Sequence, residues 1–338
     1  MPPSKPKRGL SRRELIAAGV LAAGGWAVAG GAWWWRRNER GRRADVFIGA
    51  AADYRADLLS IVEGGLDALG VDRSFVRGKS VLLKPNLVET AVGHAHINTH
   101  PALVAAAAEA FRRRDARDVL VAEGQGHNRD SLLVLDESGM GAALREAKLR
   151  FVDLNHDDVE ALGNAGKWTN LDKLYLPRTL RAADLIVSMP KIKTHHWAGV
   201  TCAMKNLFGV MPGIVYGWPK NVLHWAGISR SILDINATVR PALAIVDGIV
   251  GMEGDGPIMG SPKPLGCVVM GRDFPAVDAT CVRLMGLNPT GVEYLTAASG
   301  KLGATLESNI YQRGERIERF RTRFSVLDLP HLRAISKT

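Results

Sequence analysis

The residues best suited to chemistry cluster between positions 190 and 206. Lys191, Lys193, Lys205, His195, His196 and Asn206 fall there in an otherwise apolar setting, and no Asp or Glu occurs between Asp184 and Asp234. A solvated surface cluster normally interleaves acidic partners. An uncompensated one suits an anionic ligand, for which lysine serves as a point charge. Lys84 and Asn86 follow an apolar run and join this candidate set. Gly124 and Gly126 flank Gln125, either as a turn needing positive φ or as backbone amides aimed at a phosphate or carboxylate. His195, His224 and His127 are the candidates for moving protons near neutral pH. The acidic counterpart is Asp247, Glu253 and Asp255 within Asp-Gly-Ile-Val-Gly-Met-Glu-Gly-Asp-Gly-Pro. Carboxylates on such turns either bind a hard cation or simply punctuate Asx turns. His94, His96 and His100 share one loop, with no helical spacing to hold a metal.

Positioning these groups requires an alternation of strands and helices. The pattern predicts strands at 46–50, 80–87, 118–122, 150–154, 184–189, 242–247 and 265–270. It predicts helices at 54–69, 101–114, 131–148, 197–209, 226–239 and 274–286. Continuous apolar strands separated by helices argue for an α/β fold, a largely parallel sheet covered on both faces. The candidate residues then follow strand ends, where open α/β sheets bind ligands. The body, 45–338, reads as one α/β domain, with a division into two lobes near 190 left open.

The net charge of +10 over 338 residues suggests a nucleic-acid binder until the charge is located. Residues 1–43 hold ten Lys/Arg against two Glu, and the remainder holds 34 basic and 32 acidic residues. The body therefore has no global electrostatic reason to seek nucleic acid. Residues 1–14 form a basic leader with Ser11-Arg12-Arg13-Glu14-Leu15-Ile16, 15–35 an uncharged apolar stretch ending in three Trp, and 36–44 a basic linker. About 20 helical residues span roughly 30 Å, enough to cross a bilayer core. The leader resembles a twin-arginine signal, which implies the twin-arginine export machinery as a partner. The expectation is a cell-membrane protein with a single N-terminal helical anchor and its body on the extracytoplasmic side. Ala27-Val28-Ala29 leaves cleavage open. Cys202, Cys267 and Cys281 are too widely spaced for an iron–sulfur cluster motif or a disulfide framework.

Four segments carry a family resemblance: V-L-L-K-P-N at 81–86, S-M-P-K-I-K-T-H at 188–195, A-M-K-N-L-F-G at 203–209 and D-G-I-V-G-M-E-G-D-G-P at 247–257. Together, in this order, they resemble the domain-of-unknown-function 362 family. The resemblance implies a fold and a site location rather than a reaction. Many members carry a ferredoxin-like cysteine module, which this chain lacks. A fainter likeness, over Val119 to His127, is to nickel-dependent lactate racemases. The resulting expectation is an enzyme for a small phosphate or carboxylate substrate, with a divalent metal or metal cofactor left open. The alternative is a non-catalytic envelope protein that binds or delivers such a ligand.

Overall fold

The computed structural model describes residues 43–90, 93–126 and 130–336. The leader, the apolar stretch and all of the linker before Arg43 lie outside these residues. No helix among the described residues is long and apolar enough to cross a membrane.

Among the described residues twelve strands form in order: β1 (Ala44–Ala50), β2 (Ser80–Pro85), β3 (Asp118–Glu123), β4 (Arg150–Asp153), β5 (Val159–Gly163), β6 (Lys173–Pro177), β7 (Leu185–Met189), β8 (Lys191–His195), β9 (Gly199–Thr201), β10 (Leu243–Glu253), β11 (Ser261–Gly271) and β12 (Ile310–Gly314). Ten of them make one sheet in the order β12-β1-β11-β10-β7-β2-β3-β4, with β8 on β10 and β9 on β8. Its pairings are mostly parallel; β11 runs against β1 and β10, and β9 runs against β8. Strands from both sides of residue 190 share this sheet. The hairpin of β5 and β6 stands apart.

Alternate residues of one strand enter different cores. Val81 and Leu83 pack with the helices Leu58–Ala68 and Pro101–Arg113, whereas Leu82 faces the cluster that holds the helices Ile228–Val239 and Phe274–Leu284. A sheet covered on both faces has no polar side, which is why its strands read as unbroken apolar runs.

Three local expectations are corrected. The helix at 131–148 is two, Ser131–Glu137 and Met140–Glu146, parted where Gly139 takes φ 73°. The helix at 197–209 is instead β9, a single turn Ala203–Asn206 and a 3-10 turn Leu207–Val210, because Gly199 (φ 82°) and the extended Cys202 interrupt any helix there. Residues 191–195, read as a loop, are a fully buried strand.

The sheet divides where the site lies. β2 pairs with β7 only as far as Pro85 opposite Met189. Beyond Pro190 the chain continues as β8 alongside β10, while β2 leads away. A gap therefore opens between the carboxyl ends of β2 and β3 and the end of β8.

The short helix Ala203–Asn206 reaches toward this gap, and Asp278 holds its start. The Asp278 carboxylate accepts from the amides of Ala203 (2.7 Å) and Met204 (3.2 Å) and from the Tyr294 hydroxyl (3.0 Å). Burial raises its pKa to about 7, outweighing these hydrogen bonds. Between about pH 4 and this value the folded state keeps a proton that the unfolded chain has released, so stability from this group falls as pH rises through that window. Asp278→Asn removes the titration. Urea unfolding at pH 4 and at pH 7 should show a smaller fall in midpoint for the variant than for the wild type.

Candidate functional site

Strand ends that separate leave a hollow, and here it is a cavity of about 400 Å³. Its lining includes Lys84 near the end of β2 and Asn86 just beyond it, Glu123 at the end of β3 with Gly124 to Gly126 after it, His195 and His196 at the end of β8, and Lys205 and Asn206. Lys220 and His224 close another side, with apolar wall from Val88, Phe208, Pro219 and Ile258.

The innermost group is an ion pair. Lys84 Nζ lies 2.6 Å from Glu123 Oε2, with the two side chains 1% and 3% exposed. Lys84 also donates to Asn206 Oδ1 (2.9 Å). The Glu123 carboxylate accepts from the amides of Leu87 (3.3 Å) and Gly124 (2.9 Å). Burial pushes the lysine pKa down and the carboxyl pKa up, and their contact opposes both shifts. Asn206 is spent on structure, donating to the Lys84 carbonyl (3.1 Å) and Ser188 Oγ (3.0 Å). Gly209 must be glycine here, since a Cβ would come within 1.8 Å of Glu123 Oε1.

Two further lysines have no carboxylate within 4.0 Å among the described residues. Lys205 holds its ammonium 4.5 Å from the centre of the Phe208 ring. Lys220, 2% exposed, donates to Asn155 Oδ1. Its φ of 70° is one that lysine rarely adopts. Burial lowers Lys205 to about 8 and Lys220 to about 7.

Two of the cavity histidines, His195 and His224, are held in opposite tautomers. His195 Nδ1 accepts from the amides of Trp197 (3.0 Å) and Ala198 (3.2 Å), so Nε2 carries the proton. Burial and nearby cations keep this ring neutral. His224 Nδ1 faces the Lys220 carbonyl at 3.0 Å; a carbonyl only accepts, so Nδ1 donates and Nε2 bears the lone pair. Burial lowers its pKa too. Hence His195 can donate to a ligand and His224 can accept a proton from one.

Among the described residues three buried side-chain polar atoms have no partner: Asn86 Oδ1, Thr201 Oγ1 and, away from this cavity, Asn236 Oδ1. The first two belong to residues that line this cavity. Buried polar atoms are rarely left so, and orphans at one cavity point to a missing ligand.

Other expectations are corrected. Lys191 lies outside the cavity lining, in a closed network with Asp247 (2.6 Å) and the Tyr54 hydroxyl (2.7 Å), because its strand is buried on both faces. Lys193 is likewise buried, donating to the Pro257 carbonyl (3.1 Å). Asp247 is further occupied by Tyr54 (3.0 Å) and the His100 amide (2.9 Å). Glu253 pairs with Lys263 (3.3 Å) and the Ser325 amide (2.8 Å). Of the three acidic candidates only Asp255 lines the cavity, 3.6 Å from His196. Among the described residues no three His, Cys, Asp or Glu gather to hold a metal ion. Gly124 and Gly126 do not take positive φ. The Gly124 amide is used by the Gly209 carbonyl (2.8 Å) and Glu123, which removes it from an anion nest. A Cβ on Gly124 would lie 2.8 Å from that carbonyl, so close approach explains the residue. His127 lies outside the described residues. Sequence reasoning missed Lys220, Thr201 and Asn155; a lone lysine in the glycine-, proline- and tryptophan-rich stretch 211–221 was the available signal.

These features define an α/β protein whose largely parallel sheet carries a cation-lined cavity at its carboxyl edge. The chain belongs to the DUF362 family, a domain of unknown function, whose match covers residues 81–283, more than half of the chain. The thylakoid-associated protein sll1697 of Synechocystis sp. is 28% identical over 262 residues, 73% of this chain and 75% of that protein. Among solved structures, the lactate racemase apoprotein from Thermoanaerobacterium thermosaccharolyticum aligns over 63% of this chain and 51% of its own, at 18% identity and a TM-score of 0.41. A protein from Thermotoga maritima aligns over 66% and 58%, at 11% identity and a TM-score of 0.37.

Lys84→Met strands a buried carboxylate and should cost about 3–5 kcal/mol. Lys84→Met combined with Glu123→Gln should recover much of that loss, as read by urea denaturation in a double-mutant cycle.

Proposed function

We propose that this chain is an exported, membrane-anchored enzyme that binds a small phosphate- or carboxylate-bearing anion and moves a proton on it. The observation that carries this reading is a pair of lysines, half-buried Lys205 and buried Lys220, without carboxylate partners among the described residues, in a cavity where His224 Nε2 bears a free lone pair. In this scheme Lys205 and Lys220 balance the anion's charge. His195 donates through Nε2 to a ligand oxygen and fixes its orientation. His224 accepts the proton, its ring held by the Lys220 carbonyl. Lys220, with a pKa near 7, returns a proton as the general acid. The twin-arginine-like leader and the apolar stretch at 15–35 support export and anchoring. The name of the Synechocystis relative, thylakoid-associated, fits a membrane-linked location.

One observation favours a non-catalytic binding or delivery role instead. Among the described residues neither His195 nor His224 has a carboxylate in hydrogen-bond reach to support an imidazolium. Incubating the full-length protein in D₂O with a panel of organic phosphates and carboxylates separates the two. Catalysis predicts time-dependent deuterium uptake by mass spectrometry, reduced at least about 100-fold in His224→Gln while anion binding survives. Binding without exchange by the wild type would favour delivery.

Charge at the cavity also sets a pH dependence. Lysines with lowered pKa are cationic below about 7 and 8 and lose that charge above, so affinity for an anion should fall as pH rises from 6 to 9. Sulfate, whose own charge is constant over this range, is the probe for calorimetry. Lys205→Met and Lys220→Met should each weaken it about 10- to 100-fold at pH 6.

A further inference from the structure

The cavity mouth carries an apolar rim that an anion alone would not use. Met259, 79% exposed, lines the cavity mouth and is among the most exposed large apolar side chains of the described residues. Trp197, 54% exposed and also lining the cavity, packs edge-on against the His224 ring at 5.2 Å and the His196 ring at 4.8 Å. Exposed apolar residues scattered singly are ordinary, but a group gathered at the entrance of one cavity marks a surface that is covered in use. Behind it, Ile258, Pro257 and Phe208 continue the apolar wall inward, toward Lys205 and Lys220. The lysines therefore lie deeper than this apolar surface, while Asp255 near the mouth, 55% exposed, lies 3.6 Å from His196.

We infer that the ligand is an amphiphilic anion: a phosphate or carboxylate headgroup held by Lys205 and Lys220, with a hydrocarbon tail leaving across Trp197 and Met259. This rests on the anion-binding reading above and adds the class of molecule. A cavity of about 400 Å³ suits a headgroup and the first carbons of the tail. The remaining carbons would lie on the rim, where an indole ring combines apolar area with a polar N–H. Such a ligand is sparingly soluble and resides in a bilayer, which gives a protein anchored by residues 15–35 direct access to it.

Full-length protein in lipid nanodiscs, loaded with radiolabelled sulfate, supplies the test. Methyl, butyl and octyl phosphate compete for the label below their aggregation limits, with empty nanodiscs subtracted. Each methylene covered by the rim should improve competition by up to about fourfold. Octyl phosphate should therefore compete at least about 30-fold better than methyl phosphate. Trp197→Ser with Met259→Ser should retain sulfate and collapse that ratio severalfold. Equal competition by the three phosphates, or an unchanged ratio in the double variant, overturns the amphiphile inference and leaves anion binding standing. Failure to bind sulfate at all refutes the anion reading, and this inference with it.

Discussion

The carboxyl edge of the sheet is organised around one buried ion pair. Lys84 at the end of β2 and Glu123 at the end of β3 sit on adjacent strands and meet at 2.6 Å with almost no solvent. Neither charge is tolerable alone at that depth. Each is therefore surrounded by fixed dipoles: Asn206 on the lysine, and the amides of Leu87 and Gly124 on the carboxylate. These contacts tie two strand ends to the turn Ala203–Asn206, whose start Asp278 holds from below. Gly209 and Gly124 lack side chains because the pair and its neighbours fill the space where a Cβ would stand.

With Glu123 committed to Lys84, the cavity has no deep carboxylate left for Lys205 and Lys220. Their surplus positive charge is what an anion would neutralise, and the lowered pKa values express the cost of leaving it unneutralised. The buried oxygens of Asn86 and Thr201 tell the same story from the neutral side: no donor among the described residues reaches them. The opposed tautomers of His195 and His224 follow from backbone geometry alone, two amides facing one ring and a carbonyl facing the other.

A second buried pair, Lys191 with Asp247, shows how similar residue types reach a different end. It is as close and as deeply buried as the first, yet Tyr54 and the His100 amide close it off. The difference is position. Lys191 starts β8, where β10 still covers it, whereas Lys84 ends a strand where the sheet parts.

Much of the fold was readable along the chain. Apolar runs at 80–87, 118–122 and 184–189 announced a sheet covered on both faces, and the location of the charge freed the body from any nucleic-acid reading. Residue types also marked Lys84, Asn86, Lys205, His195 and His224 as chemically notable, and all five line one cavity. Tertiary structure alone decided which charges are spent. Lys191, Lys193, Asp247 and Glu253 looked as free as Lys205 in one dimension, but each finds a partner across the sheet or from a distant loop. A local pattern records residue type and spacing. It does not record which oxygen or nitrogen, a hundred residues away, arrives first at a buried charge, and that encounter separates a structural ion from one left to bind a ligand.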